Sequence, residues 1–308
     1  MGAVRAITAE AEAPIDRTMP KKSAAARNEA ATKCAIAKKS PKKHTKFIMP
    51  PSPLTLVINL QRRGDRLRKL RKVLREGGLS TWERVDAVDG RGLTWDAVTP
   101  HLSHSALSNA QWAAAKDVPT ICMKTGSFSP HLTLSAVGCA LSHRKAWQAL
   151  VTQKKHDWAL VLEDDVSAVA HDLDGKLDRV VRSLPSSWQF CYVGFHEASG
   201  CLLGGAERLR FAELGPDESQ TGLFGYMLRR SCAAELLACK ETFPLRHQVD
   251  VQLGTRHWRV GSRFALSPEA VLVHSPKSEE GACDTDVQTL GHEAKRAHSG
   301  LLPNMLKL

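Results

Sequence analysis

The stretch Trp158 to Ala168, WALVLEDDVSA, limits the possible folds more than any other segment of this chain. A short apolar run that stops at three adjacent acids must bury its body and bring its end to the surface. Burying Glu163, Asp164 and Asp165 without partners would cost several kcal/mol per group, so they must meet water, a cation or a basic ligand.

The flanking segments supply the rest of a sheet. LTLVINL, from Leu54, is a β-branched run of strand length. The following DRLRKLRKVLREGG sets Leu67, Leu70, Val73 and Leu74 at helical spacing, with Asp65 as the expected N-cap and Gly77-Gly78 as the stop. TWERVDAV reads as a second strand closed by Asp89-Gly90, and residues 91–135 as an insertion over the main sheet. GCALSHRKAWQALVTQ, from Gly138, is an amphipathic helix with Cys139, His143, Trp147 and Leu150 on one stripe. LDGKLDRVVRSL and WQFCYVGF repeat the pair after the acids. Alternating strands and helices predict an α/β fold, a mainly parallel sheet with helices on both faces. Ligands of such sheets bind beyond the carboxyl ends of the strands, where the three acids fall.

At 308 residues, 43% hydrophobic and 24% charged, the composition is that of a soluble globular protein. The net charge of +11 suggests a nucleic-acid binder, but most of it is local. Residues 1–52 hold eleven Lys and Arg against four Asp and Glu, and too few large apolar residues to offset their ordering. They are expected to form a disordered basic tail, followed by one domain over 53–290 and a C-terminal tail over 291–308. No aromatics interleave with the basic residues, so specific nucleic-acid binding is not expected. No signal peptide or membrane-spanning run is visible, which favours a cytoplasmic location. The eight cysteines form no C-x-x-C pair, which argues against a zinc ribbon and favours a reducing compartment.

On an extended backbone Glu163 and Asp165 share a face while Asp164 turns elsewhere. Mg²⁺ and Mn²⁺ are commonly held by one or two carboxylates plus substrate phosphates, so such a pair suits a nucleotide diphosphate with its metal. An acidic loop that only caps a strand would show the same residues.

Six motifs narrow the choice: VINLQRRGDR (57–66), ERVDAVDG (83–90), GCALSHRKAW (138–147), LVLEDDV (160–166), TGLFGYMLRR (221–230) and VDVQLG (249–254). In order and approximate spacing this set resembles glycosyltransferase family 25, over roughly residues 54–290. The family includes bacterial lipooligosaccharide galactosyltransferases and collagen hydroxylysine galactosyltransferases. The resemblance implies a GT-A fold and a metal-dependent inverting transfer of a hexose, galactose above others. The donor would be a UDP-sugar and the acceptor a hydroxyl of a glycan, glycolipid or hydroxylysine-type residue. Mn²⁺ or Mg²⁺ would be the cofactor.

The same resemblance implies residue roles. Asp165 and Glu163 become metal ligands, and His274, after a late apolar strand in a region that also holds Asp284 and Asp286, a third; a solvated histidine would look alike. Arg63 and Arg66 lie where guanidinium groups meet a diphosphate, or are exposed helix-start arginines. Asn59 secures the turn or the nucleotide base. Ser142 and His143 become donor-site residues, although His143 lies on an apolar stripe as a core histidine would. Gly222, Gly225 and Tyr226 match a segment near the sugar, where strand packing would also explain them. Asp250 is the expected general base, or a helix-capping aspartate. One departure stands out: where the family has a Gly-Glu pair, this chain reads Ser135-Ala136. The competing function is therefore a catalytically inactive binding or adhesion module on the same fold.

Overall fold

The computed structural model describes residues 53–122, 129, 131–196, 201–203, 211–215, 218, 220–276, 286–288 and 290–291. The expected basic tail, residues 292–308, Asp284, Cys34 and Cys283 lie outside these residues.

Eight strands form the central sheet: β1 (Leu54–Asn59), β2 (Glu83–Asp86), β4 (Trp158–Glu163), β6 (Phe190–Gly194), β7 (Cys201–Leu203), β8 (Phe211–Glu213), β9 (Gly225–Arg229) and β10 (Arg263–Leu266). Their spatial order is β2-β1-β4-β9-β6-β10-β8-β7. Pairing is parallel for β2 with β1, β1 with β4, and β6 with β10. It is antiparallel at both sides of β9 and of β8, so six strands run one way and two run against them. Smaller ladders join β3 (Ile121–Cys122) to β12 (Leu290–Gly291) and β5 (Ala168–Val169) to β11 (Val273–His274). The expected mainly parallel α/β sheet is the observed one.

The helices are α1 (Gly64–Glu76), α2 (Trp95–Val98), α3 (His104–Ala115), α4 (Leu134–Thr152), α5 (Leu173–Ser183), α6 (Arg230–Ala238) and α7 (Val249–Thr255). Leu70 and Leu74 of α1 are fully buried, as the helical spacing requires. The cap differs from expectation. Arg63 holds the N-cap position without a side-chain bond, and Asp65 sits inside the first turn, where it accepts from Arg63 at 3.2 Å. An acid there still favours the positive end of the helix.

The insertion between β2 and α4 adds to the same core through Val98 of α2 and Ala106 and Ala110 of α3. β4 is buried along its apolar length, and α4 covers the sheet with Ala140, Ala146, Trp147 and Leu150 fully enclosed. Its start lies very close to the loop after β2. A Cβ on Gly138 would come within 2.7 Å of the Val88 carbonyl, and one on Gly90 within 2.4 Å of Ser135 Cα. Only glycine at both positions lets helix and loop touch. Among the described residues, Cys139, Cys191, Cys232 and Cys239 are free, and no helix is long and apolar enough to cross a membrane.

Candidate functional site

Parallel β1 and β4 are neighbours, with Ile58 opposite Glu163, so Asn59 and the acids leave the sheet at one rim. Asn59 Nδ2 donates to Asp164 Oδ2 at 2.6 Å and to the Arg63 carbonyl at 3.0 Å, tying the turn after β1 to the turn after β4. Arg66 donates Nη1 to Asp164 Oδ1 at 3.0 Å. Burial raises the Asp164 carboxyl pKa against the lowering effect of Arg66 and Asn59. Asp164 therefore turns away from Glu163, as expected, toward Asn59 and Arg66. The strand ends at Glu163, and Asp164 becomes the acid held by the protein itself.

Glu163 goes the other way. Its Oε1 lies 3.0 Å from His143 Nε2, whose Nδ1 is 3.0 Å from the Tyr226 hydroxyl, and Trp147 Nε1 donates to that hydroxyl at 2.9 Å. His143, Trp147 and Tyr226 are all fully buried. The expectation of Tyr226 against a sugar face is corrected here: its ring stacks on Phe190 inside the core, with centroids 4.8 Å apart. Gly225 is explained by close packing, since a Cβ there would stand 3.0 Å from Val273. Ser142 links helix to loop, accepting from Val88 N at 2.8 Å and donating to the Gly138 carbonyl at 2.7 Å.

Asp165 is the least compensated of the three acids. The residue is half-buried, and Oδ1 is buried with no hydrogen-bond partner. Burial, then the charge of Glu163, pushes its pKa up to about 7. Asp250, in the first turn of α7, accepts from Gly222 N at 3.2 Å and Val251 N at 2.8 Å. Burial raises it against those two bonds, and Glu163 adds to the rise. The Cys139 thiol is pushed well up by burial and by these same carboxylates.

The basic residues close the other wall. Arg62 donates to Asp89 and to Asp286, both at 2.6 Å. Arg63 donates to Asp286 at 2.5 Å, and Arg66 lies 3.3 Å from the same carboxylate. Arg62, Arg66, Asp89 and Asp286 border an open cleft of about 510 Å³, its solvent-filled mouth included, that Ser142, His143, Glu163 and Asp164 also line. The structure thus gathers Asn59, Arg63, Arg66, Ser142, His143 and Glu163 at one rim, with Asp165 and Asp250 coupled to Glu163 by charge. β11 passes the acids, with Ser275 Oγ 3.4 Å from the Asp165 carbonyl, while the His274 side chain is exposed. Arg62, Asp89, Cys139 and Trp147 were not taken as site residues from the sequence, although Arg62 stands beside Arg63 in the first motif, Asp89 closes the second strand, and Cys139 and Trp147 share the helix stripe of His143.

The donor chemistry suits a hard divalent cation better than a soft one. Cys139, His143 and Glu163 offer ligand atoms within 4.8 Å of one another. The thiol, however, is held protonated, and both nitrogens of His143 are already bonded. The orphaned oxygen of Asp165 beside Glu163 is what a Mg²⁺ or Mn²⁺ ion would satisfy.

Comparison with known proteins defines the class as glycosyltransferase. Residues 53–194 match the family described as Glycosyltransferase family 25 (LPS biosynthesis protein). The protein named "Putative glycosyltransferase R655" of Acanthamoeba polyphaga mimivirus is 23% identical over 256 residues, which cover 81% of this chain and 70% of that protein. Among solved structures, the 4-diphosphocytidyl-2C-methyl-D-erythritol synthase of Anaerococcus prevotii aligns with a TM-score of 0.31 at 10% identity, covering 72% of this chain and 92% of that one.

Proposed function

We propose that the chain transfers a hexose, galactose first, with inversion from a UDP-sugar to a hydroxyl of a glycan, glycolipid or hydroxylysine-type acceptor, in a GT-A site that uses a divalent cation. One observation carries this reading: a buried, unpartnered carboxylate oxygen of Asp165, two residues beyond Glu163 at the end of β4 and within the electrostatic reach of Glu163 and Arg66.

Asp165 and Glu163 would hold Mn²⁺ or Mg²⁺, which would supply positive charge against the leaving diphosphate. Arg62, Arg63 and Arg66 present guanidinium groups for phosphate oxygens, with Arg66 aimed by its bond to Asp164. Asp250 receives the proton of the acceptor hydroxyl, and burial raises its affinity for a proton. Asn59 fixes the turn that carries Arg63 and Arg66.

The test is a panel of nucleotide sugars, each assayed for hydrolysis and for protection against thermal unfolding with and without Mn²⁺. A preferred donor raises the melting temperature by mass action and is slowly hydrolysed in the presence of the metal. A panel in which no sugar nucleotide does either removes the reading.

A further inference from the structure

The bonds around His143 fix the position of its proton. Trp147 Nε1 can only donate, so the Tyr226 oxygen accepts from it at 2.9 Å. Burial raises the Tyr226 pKa well above its usual value, so the phenol keeps its hydrogen. That hydrogen has an acceptor in reach, His143 Nδ1 at 3.0 Å. A neutral imidazole that accepts at Nδ1 carries its proton at Nε2, and Nε2 faces Glu163 Oε1 at 3.0 Å. Trp147 lies one turn after His143 on α4, so a single buried helix face supplies both side chains that meet the Tyr226 hydroxyl.

We infer that Trp147 and Tyr226 are positioning residues: they lock His143 in the Nε2–H tautomer, and His143 in turn anchors one oxygen of Glu163 and leaves the other for a ligand in the cleft. The inference rests on the glycosyltransferase reading for its consequence, but not for its geometry. A histidine fully enclosed and bonded at both nitrogens does not touch the sugar donor, so His143 acts through Glu163. Groups that orient a metal-binding side chain in this way typically change metal affinity by about 10- to 100-fold when removed.

The tautomer is read from ¹⁵N NMR of the full chain with labelled histidine, free of metal, with the His143 signals assigned by their loss in His143→Gln. An unprotonated Nδ1 and a protonated Nε2 are expected. A proton on Nδ1 overturns the inference. Mn²⁺ affinity is then measured by electron paramagnetic resonance for Tyr226→Phe, His143→Gln and His143→Leu. Tyr226→Phe should lose the single tautomer and bind Mn²⁺ about 10- to 100-fold more weakly. His143→Gln, which keeps a donor for Glu163, should stay within a few-fold of the parent while His143→Leu does not. Equal Mn²⁺ affinity for the two His143 variants overturns the anchoring role, even if Tyr226→Phe fails to fold. A parent that binds no Mn²⁺ removes the metal from the proposed function, and the NMR spectrum still decides the tautomer.

Discussion

Arg63 and Asp286 form an ion pair of 2.5 Å in which each side chain is only 12% exposed. The same carboxylate also meets Arg62 and Arg66, so one acid satisfies three guanidinium groups at the rim of the cleft. Asp286 therefore offers the arginines two anionic oxygens of the kind a phosphate would bring. If the arginines take the donor's diphosphate, Asp286 competes with it. Asp286→Asn is expected to tighten UDP binding by about 2- to 10-fold, the scale of a partly screened ion pair. Isothermal titration with UDP checks this; weaker binding would make Asp286 part of the donor site instead.

Asp165→Asn should abolish metal-dependent donor binding and transfer while the fold stays intact, because it removes a ligand oxygen from a rim and not an apolar contact from the core. EDTA should silence the parent in the same way, with Mn²⁺ or Mg²⁺ restoring it. A variant that binds donor and metal as the parent does would remove Asp165 from the metal site.

The same variant has a pH signature. The folded-state pKa of Asp165, about 7, lies above the ordinary aspartate value of 3.8. The native state therefore binds more protons between those values, and the group's contribution is fully present below the lower value and lost as pH rises through the upper. Without metal, Asp165→Asn and the parent should melt together near pH 4, and the variant should melt progressively higher as pH rises from about 4 to about 7, with the gap level above that. Saturating Mn²⁺ should close the gap by stabilising the parent. A gap independent of pH would contradict the placement of Asp165 against Glu163.

Asp250→Asn should retain donor and metal affinity but slow transfer by roughly 10²- to 10⁴-fold, the scale of a lost general base. Its two carboxylate oxygens accept from Gly222 N and Val251 N, and an asparagine keeps an acceptor for only one of them. A modest loss of stability, about 1 kcal/mol, should accompany the change. Single-turnover rates beside melting curves separate the two effects; full transfer at reduced stability would leave Asp250 a structural residue.

Strand positions were legible because apolar runs of fixed length carry them: β1 lies within LTLVINL, and β4 stops at the acids. The direction of β9 was not, since an apolar run has no mark of which way it enters a sheet. Tyr226 misled for a related reason. An aromatic beside glycines in a strand reads the same whether it lines a cleft or packs on Phe190. Asp286 was noticed only as an acid in a polar loop, because its partner Arg62 lies 224 residues away and no local pattern encodes such a pairing. That Asp164 turns from Glu163 was legible in the strand's alternation, but its partners Asn59 and Arg66, 105 and 98 residues away, were not.

The place of β9 sets a limit on dissection. The family match ends at Gly194, the last residue of β6, yet β9, which begins at Gly225, pairs with both β4 and β6. A fragment cut at the end of the match would keep those two strands and lose the one between them. Each would present a row of unanswered backbone amides and carbonyls in the middle of the molecule, an invitation to pair with another chain. The family match is therefore shorter than the piece that carries the whole central sheet. Any shortened version made for crystallisation or assay has to run through β10, which completes the sheet on the far side of β6.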